Sequence, residues 1–200
     1  MVRIETATAD DAEEAAVVLA EAFADDPVIA RFVPPTASRR EQRLRGMFRG
    51  AVRAAGPGNV DIARDDTRGE VILGVAVWRA PEGGAGVVGA LAALGSALRA
   101  LGPRGVLMLG QYNRALRPHV PKEPHWHLED IGTRAEARGL GVGKALLTHR
   151  LAIVDRSQRP AVLEATTPAS RRLYERYGFA AAAEPTTGLL SGAAVMVRPA

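Results

Sequence analysis

The 200-residue chain contains no cysteine. That absence removes disulfides, thiolate nucleophiles, iron–sulfur clusters and cysteine-ligated zinc in one step. It also fits a reducing compartment, so a cytoplasmic location is expected. Aromatic residues are scarce at 4%, too few for a broad base-stacking platform. Lysine is nearly missing: Lys122 and Lys144 are the only two among the 26 basic residues. The arginines are scattered among acids. The net charge of +4 and the isoelectric point of ≈ 10.1 therefore describe a solvated surface, and no nucleic-acid partner is expected. Long apolar runs are lacking too. The longest uncharged stretch, Gly83 to Leu98, is glycine-rich and shorter than the roughly 18–20 residues of a spanning helix. It reads as a buried or lid helix, with no membrane partner. Met1 to Glu5 has no basic region followed by an apolar run, so no signal peptide is expected.

What is present is ordinary for a globular protein. The apolar share is 47% and the charged share 24%, which excludes disorder of the whole chain. The length fits one domain over 1–200, large enough to bury roughly 70% of its unfolded surface.

Val2 to Thr6 alternates as a strand. Asp10 and Glu13 have the spacing of a capping box, and Ala12, Ala15, Ala16, Leu19, Ala20 and Phe23 follow at helical spacing. Asp25-Asp26-Pro27 stops that helix. A second helix from near Ser38 carries Leu44, Phe48 and Val52 on its apolar face, and Gly56-Pro57-Gly58 ends it. Its Arg45, Arg49, Arg53 stripe reads as solvated. Strands are expected over Val60–Arg64 and Glu70–Arg79, with a hairpin loop at 65–69. A helical insertion follows at about 83–120, divided at Gly102-Pro103. Then come a strand from His125 to Thr133, a helix from Arg138 to Asp155 and a strand from Ala161 to Thr166. A short helix begins at Pro168, and two antiparallel strands close the chain.

The chemistry concentrates in Arg138-Gly139-Leu140-Gly141-Val142-Gly143-Lys144. Alternating glycines between a strand and a helix let backbone N–H groups approach a ligand, and a helix start favours phosphate. A P-loop is excluded, because Arg138 stands where its first glycine belongs and Ala145 follows the lysine. A dinucleotide fingerprint is excluded, because Lys144 or Leu146 falls on its third glycine. The spacing that remains is Arg-x-x-Gly-x-Gly, on Arg138, Gly141 and Gly143.

This segment, after Ile131-Gly132-Thr133, resembles the acetyl-CoA signature of the GNAT superfamily of N-acetyltransferases. Tyr174-Glu175-Arg176-Tyr177-Gly178-Phe179 is similar to the superfamily's Tyr-x-x-x-Gly-Phe segment. The run Pro121 to Glu129 resembles the corresponding stretch of puromycin N-acetyltransferase and its actinobacterial relatives. The resemblance implies a GNAT-type α/β fold, with a mixed, mostly antiparallel sheet flanked by helices and the insertion before the cofactor-binding strand. It implies acetyl-CoA as co-substrate, held by Ile131, Gly132, Thr133 and the backbone from Arg138 through Gly139, Leu140, Gly141, Val142 and Gly143 to Lys144. Ser170 stands where relatives often carry an asparagine that touches CoA. The strand is expected to splay from the one at Val162–Thr166, with the thioester in the gap. Tyr174 matches the tyrosine that protonates the leaving thiolate.

For the base, His127 and Glu129 share a strand face by period two, with Asp130 on the other face. A small-molecule primary amine is the expected acceptor, with Phe23, Asp26 and Trp126 placed at its site. No metal is expected, because His125-x-His127-x-Glu129 lacks a further ligand. A homodimer through the apolar insertion is one expectation, and simple burial of that surface the other. Three rivals remain open: a protein amine or another acyl-CoA, a CoA sensor without turnover, and a basic nucleic-acid binder.

Overall fold

The computed structural model describes residues 2–65, 71–82 and 87–200, the side chains of 87–93 excepted. The expected hairpin loop and the start of its second strand, residues 66–70, lie outside the described residues, as do residues 83–86.

The apolar periodicity decides the layers. β1 (Val2–Thr6) leads to α1 (Ala12–Ala22), a short α2 (Ile29–Phe32) and α3 (Arg40–Ala55). α3 buries Leu44, Phe48 and Val52, one face at i, i+4 spacing. β2 (Val60–Asp65) and β3 (Ile72–Arg79) follow, then α4 (Val87–Leu116). β4 (Trp126–Thr133), α5 (Val142–Ser157), β5 (Ala161–Ala165), α6 (Pro168–Glu175), β6 (Ala180–Ala183) and β7 (Ala194–Arg198) complete the chain. The sheet order is β1-β2-β3-β4-β5-β7-β6. Every pairing is antiparallel except β4 with β5. α5 is the crossover that this one parallel pair requires.

The sheet divides the core in two. Helices α1 to α4 cover one face, over Ile62, Val75, Val77 and Val162. Helices α5 and α6 cover the other, over Leu73, Ala76, Trp78 and Leu163. Two glycines set how closely helices approach. A Cβ on Gly74 of β3 would come within 2.7 Å of the Val142 side chain at the start of α5. One on Gly132 of β4 would meet the Ala22 Cβ of α1 at 2.6 Å.

Two local expectations need correction, and one between them holds. The Asp10–Glu13 box does not form. Asp11 stands at the helix start instead, accepting the N–H and hydroxyl of Thr8 at 2.7 and 2.8 Å and pairing with Arg64, while Glu13 reaches Arg49. The insertion divides at Gly102-Pro103 as expected: α4 is two helical segments that meet at a kink where Gly102 has φ 71° and ψ 174°. Arg43 donates to the carbonyls of Ala100 and Leu101 that the kink exposes, both at 2.8 Å. The helix expected from Arg138 begins at Val142, because Gly141 is left-handed at φ 79°. A 3₁₀ turn at Ala135–Ala137 precedes it. Among the described residues, no helix is long and apolar enough to cross a membrane.

Candidate active site

The parallel pairing runs from Trp126–Ala161 through His127–Val162 to Leu128–Leu163 and stops. β4 continues to Thr133 and β5 to Ala165, so the two strands splay. On its other edge β4 stays paired to β3 as far as Thr133. The second half of β4 therefore turns unpaired backbone groups into the gap, as an edge strand does. α6 follows β5 directly. Thr167 caps it with reciprocal Thr167–Ser170 bonds. Tyr174 faces the gap, 6% exposed, with its ring 6.1 Å from that of Phe179.

A bulge decides which acids face the cleft. Trp78 pairs with Leu128 and Val77 with Asp130, so Glu129 is the extra residue on β4. One extra residue reverses the alternation beyond it. Asp130 joins His127 on the face covered by α1 to α4, where its cross-strand partner Val77 also points. This overturns the expectation that Asp130 lies on the opposite face. Glu164 of β5, two residues beyond Val162, reaches the same cleft.

The cleft has a volume of ≈ 690 Å³, and its floor holds Arg79, His127, Glu129, Asp130 and Glu164. Three of these form a chain with His127. Arg79 donates to the Glu129 carboxylate at 2.8 Å and to His127 Nδ1 at 2.6 Å, and His127 Nε2 lies 3.0 Å from Glu164. A guanidinium only donates, so Nδ1 accepts and the proton sits on Nε2, directed at Glu164. Both ring nitrogens of His127 are thus engaged, and Glu129 is ion-paired. The Asp130 carboxyl makes no hydrogen bond among the described residues. Its burial, reinforced by the nearby charges of Glu129, Glu164 and Asp26, pushes its carboxyl pKa up to about 8. Burial and the charges of Asp130 and Glu164 raise the Tyr174 phenol above its ordinary value, so it stays protonated.

At the glycine loop, Gly139 and Gly141 have φ of 80° and 79°, a conformation that disfavours any side chain. The first helical bond of α5 is Ala145 N–H to Gly141 O, 2.9 Å. The N–H groups of Val142, Gly143 and Lys144 therefore have no partner within the helix. Gly143 has no positive φ, and a Cβ there would meet nothing within 4 Å. A glycine in a helix costs about 1 kcal/mol relative to alanine, and no neighbour in this chain requires it. Among the described residues, the side chains of Arg138 and Lys144 form no hydrogen bond or ion pair. These features fit a ligand carrying phosphates against bare backbone.

The other predicted residues divide. Ile131, Ser170 and Tyr174 line the cleft, although the Ser170 hydroxyl is occupied in the α6 cap. Thr133 lies outside the cleft lining, next to Gly74. Gly132 is buried beneath α1, and its packing against Ala22 accounts for the missing side chain. Phe23 lines the cleft and packs on Phe48, ring centres 5.3 Å apart. Asp26 lines it too and acts as a strut. One oxygen accepts the N–H groups of Val28 and Ile29 at 2.8 and 2.9 Å, and the other accepts the Thr166 hydroxyl at 2.6 Å. Trp126 is a correction. It lies in the opposite core beneath α5, donating to Ser157 at 3.0 Å with Arg150 over its ring. It does not line the cleft.

The sequence reasoning missed Asp130, Glu164 and Arg79. For Glu164 there was a signal, a lone charge inside the apolar strand Ala161–Ala165. Among the described residues, no group of three or more His, Cys, Asp or Glu side chains is placed to hold a metal ion.

A mixed sheet whose one parallel pair splays beside a glycine-headed helix defines the class of acyl-CoA N-acyltransferase folds. The sequence profile of the acetyltransferase (GNAT) family matches residues 65–179, more than half of the chain, and the chain belongs to that family. Solved structures agree. One from Corynebacterium glutamicum, described as histone acetyltransferase HPA2 and related acetyltransferase, is 29% identical with a TM-score of 0.72, covering 100% of this chain and 97% of that one. The PaiA N-acetyltransferase from Thermoplasma acidophilum, solved with coenzyme A, has the same fold at 12% identity and TM-score 0.58, covering 100% and 99%. A GNAT family acetyltransferase from Brucella melitensis, solved with acetyl-CoA, gives 15% and 0.52, covering 100% and 88%.

Proposed function

We propose that this chain, as one GNAT domain over 1–200, transfers acetyl from acetyl-CoA to the primary amine of a small molecule by direct transfer in a ternary complex. The observation that carries the reading is the β4–β5 splay, with Tyr174 buried beside it and an unshielded glycine loop beyond β4. When bound, acetyl-CoA supplies an acetyl group activated as a thioester. The N–H groups at the start of α5, with Arg138 and Lys144, hold the diphosphate. The unpaired backbone of Ile131 to Thr133 holds the pantetheine arm, and a β4 N–H polarises the acetyl carbonyl. Asp130 takes the proton of the incoming ammonium. A carboxyl with a pKa of about 8 lies far closer to an alkylamine near 10 than an ordinary aspartate does. Tyr174 gives its proton to the departing thiolate. Arg79, His127 and Glu164 hold the floor in place. The Pro121–Glu129 run supports a likeness to the puromycin N-acetyltransferase group.

Calorimetric titration tests the site. Acetyl-CoA and CoA are expected to bind at micromolar Kd, and ATP and NAD much more weakly. Gly141→Val forces a β-branched residue into a left-handed position, so its CoA Kd is expected to rise at least tenfold. Absence of CoA binding by folded protein would end this reading.

A second readout separates an enzyme from a sensor. Tyr174→Phe is expected to lower kcat by about 10²-fold and leave the CoA Kd within threefold. Unchanged turnover would remove Tyr174 as the acid.

A further inference from the structure

We propose that the acceptor is a monoamine carried on an apolar, uncharged body, of the alkyl or aralkyl class, and not a polyamine or a peptide amine. This rests on the acetyl-transfer reading above and adds the substrate class. The cleft is chemically divided. Its charged residues, Asp26, Arg79, Glu129, Asp130 and Glu164, lie on the sheet floor or on the loop after α1. Its upper walls come from four helices and their ends and are apolar: Phe23 at the C-cap of α1, Phe32 of α2, Phe48 of α3, and Leu101, Leu109 and Tyr112 of α4.

Among the described residues, no charged side chain of α1 to α4 lines this cleft. The acidic floor, where Arg79 already pairs with Glu129, draws the substrate's ammonium down to the sheet. A second ammonium, as in a polyamine, would rest against phenylalanine and leucine with no counter-charge, and desolvating it there is unfavourable. A peptide would bury amide groups against the same walls. Among the described residues of α4 that line the cleft, only Tyr112 and Asn113 offer neutral polar groups. The aromatic walls are braced against one another: Phe23 packs on Phe48, and Phe32 meets Tyr112 edge-on at 5.6 Å. The apolar space is therefore built into the fold and belongs to the acceptor half, since the pantetheine arm follows β4 and α6.

The test is a series of n-alkylamines from propylamine to hexylamine, with 2-phenylethylamine, spermidine and a lysine tetrapeptide. Turnover is read as CoA thiol release, and acetyl-CoA binding is measured in parallel by calorimetry. A buried methylene is worth about fourfold in equilibrium terms, so kcat/KM is expected to rise about fourfold per methylene along the series. 2-Phenylethylamine is expected to exceed spermidine by about 100-fold or more. A flat series, or preference for spermidine or the peptide, overturns the assignment while acetyl-CoA binding upholds the transferase reading. If acetyl-CoA does not bind, the transferase reading falls, and amine titration alone then decides the cleft. Binding of hexylamine ahead of propylamine and spermidine supports the assignment, and the reverse order overturns it. Leu109→Arg puts a cation on the wall, and hexylamine kcat/KM is expected to fall at least tenfold with the acetyl-CoA Kd unchanged. The wild-type series decides the matter if that variant does not fold.

Discussion

Asp130→Asn is expected to lower kcat/KM by about 10²- to 10³-fold, in the range of a lost general base, while raising the melting temperature. Both effects have one origin. Asp130 is the floor carboxylate without a hydrogen bond among the described residues, and burial with the charges of Glu129, Glu164 and Asp26 pushes its pKa up to about 8. In the wild type, log kcat/KM is expected to climb with unit slope and level near pH 8, where Asp130 ionises. In Asp130→Asn the enzyme must wait for free amine, so that limb is expected to move toward about 10.

The stability effect follows from linkage. The folded pKa lies above the unfolded value of 3.8, so the folded state holds a proton that the unfolded state loses. Wild-type stability is therefore full below about pH 4 and declines as pH rises to 8. The asparagine does not ionise, and its advantage opens over the same window. Water still reaches the half-buried carboxyl, so the gain at pH 8.5 is on the order of 2 kcal/mol. For a chain of this size that is about 5 °C. Near-equal melting temperatures at or below pH 4 and a gap that widens steadily to pH 8.5 are the signature. Glu129→Gln and His127→Gln are expected to change kcat/KM by less than tenfold without moving the acid limb. A shifted limb in either variant would transfer the base role to it.

The reason Asp130 escaped the sequence is instructive. Strict alternation from His127 selects Glu129, and nothing in Leu128-Glu129-Asp130-Ile131 marks a bulge. The bulge is a property of the pairing with β3, where Trp78 meets Leu128 and Val77 meets Asp130. Long-range register is invisible to a local pattern. Trp126 is a different case. Period two already sets it opposite His127, and α5 covers that face and brings Ser157 to its indole.

The glycine loop was legible because its cost is local. A left-handed Gly141 and an unpacked Gly143 are unfavourable in a helix start without a ligand to explain them. The order of strands and helices was equally legible, since the apolar periods of α1, α3 and the two central strands are strong. The apolar cleft above the floor was not. Phe23 caps α1, while Phe32, Phe48 and Tyr112 belong to α2, α3 and α4, and only packing brings them together.

Arg150→Met is expected to be the most destabilising substitution, at about 3–5 kcal/mol, or about 10–15 °C in melting temperature. Arg150 and Asp61 are 2% and 0% exposed. The guanidinium grips the carboxylate through Nε at 2.8 Å and Nη2 at 2.6 Å, and Nη1 reaches the Gly58 carbonyl at 2.8 Å. Methionine fills much of the space and leaves the buried Asp61 carboxylate of β2 without its two guanidinium bonds, with His149 Nε2 at 3.8 Å in their place. The desolvation of that under-compensated carboxylate, rather than the strength of the pair, sets the size of the loss. The double variant Asp61→Leu/Arg150→Met removes both charges and is expected to recover at least half of it, which urea melts with unchanged slope will read. If the double variant is as unstable as the single one, the pair matters for shape and not for charge. The result bears on the site as well. α5 is fixed to the sheet at its middle by Arg150 and at its start by the close approach of Val142 to Gly74. Its start carries the glycine loop. Loosening the middle alone is therefore expected to leave CoA affinity within tenfold at temperatures where the single variant is folded.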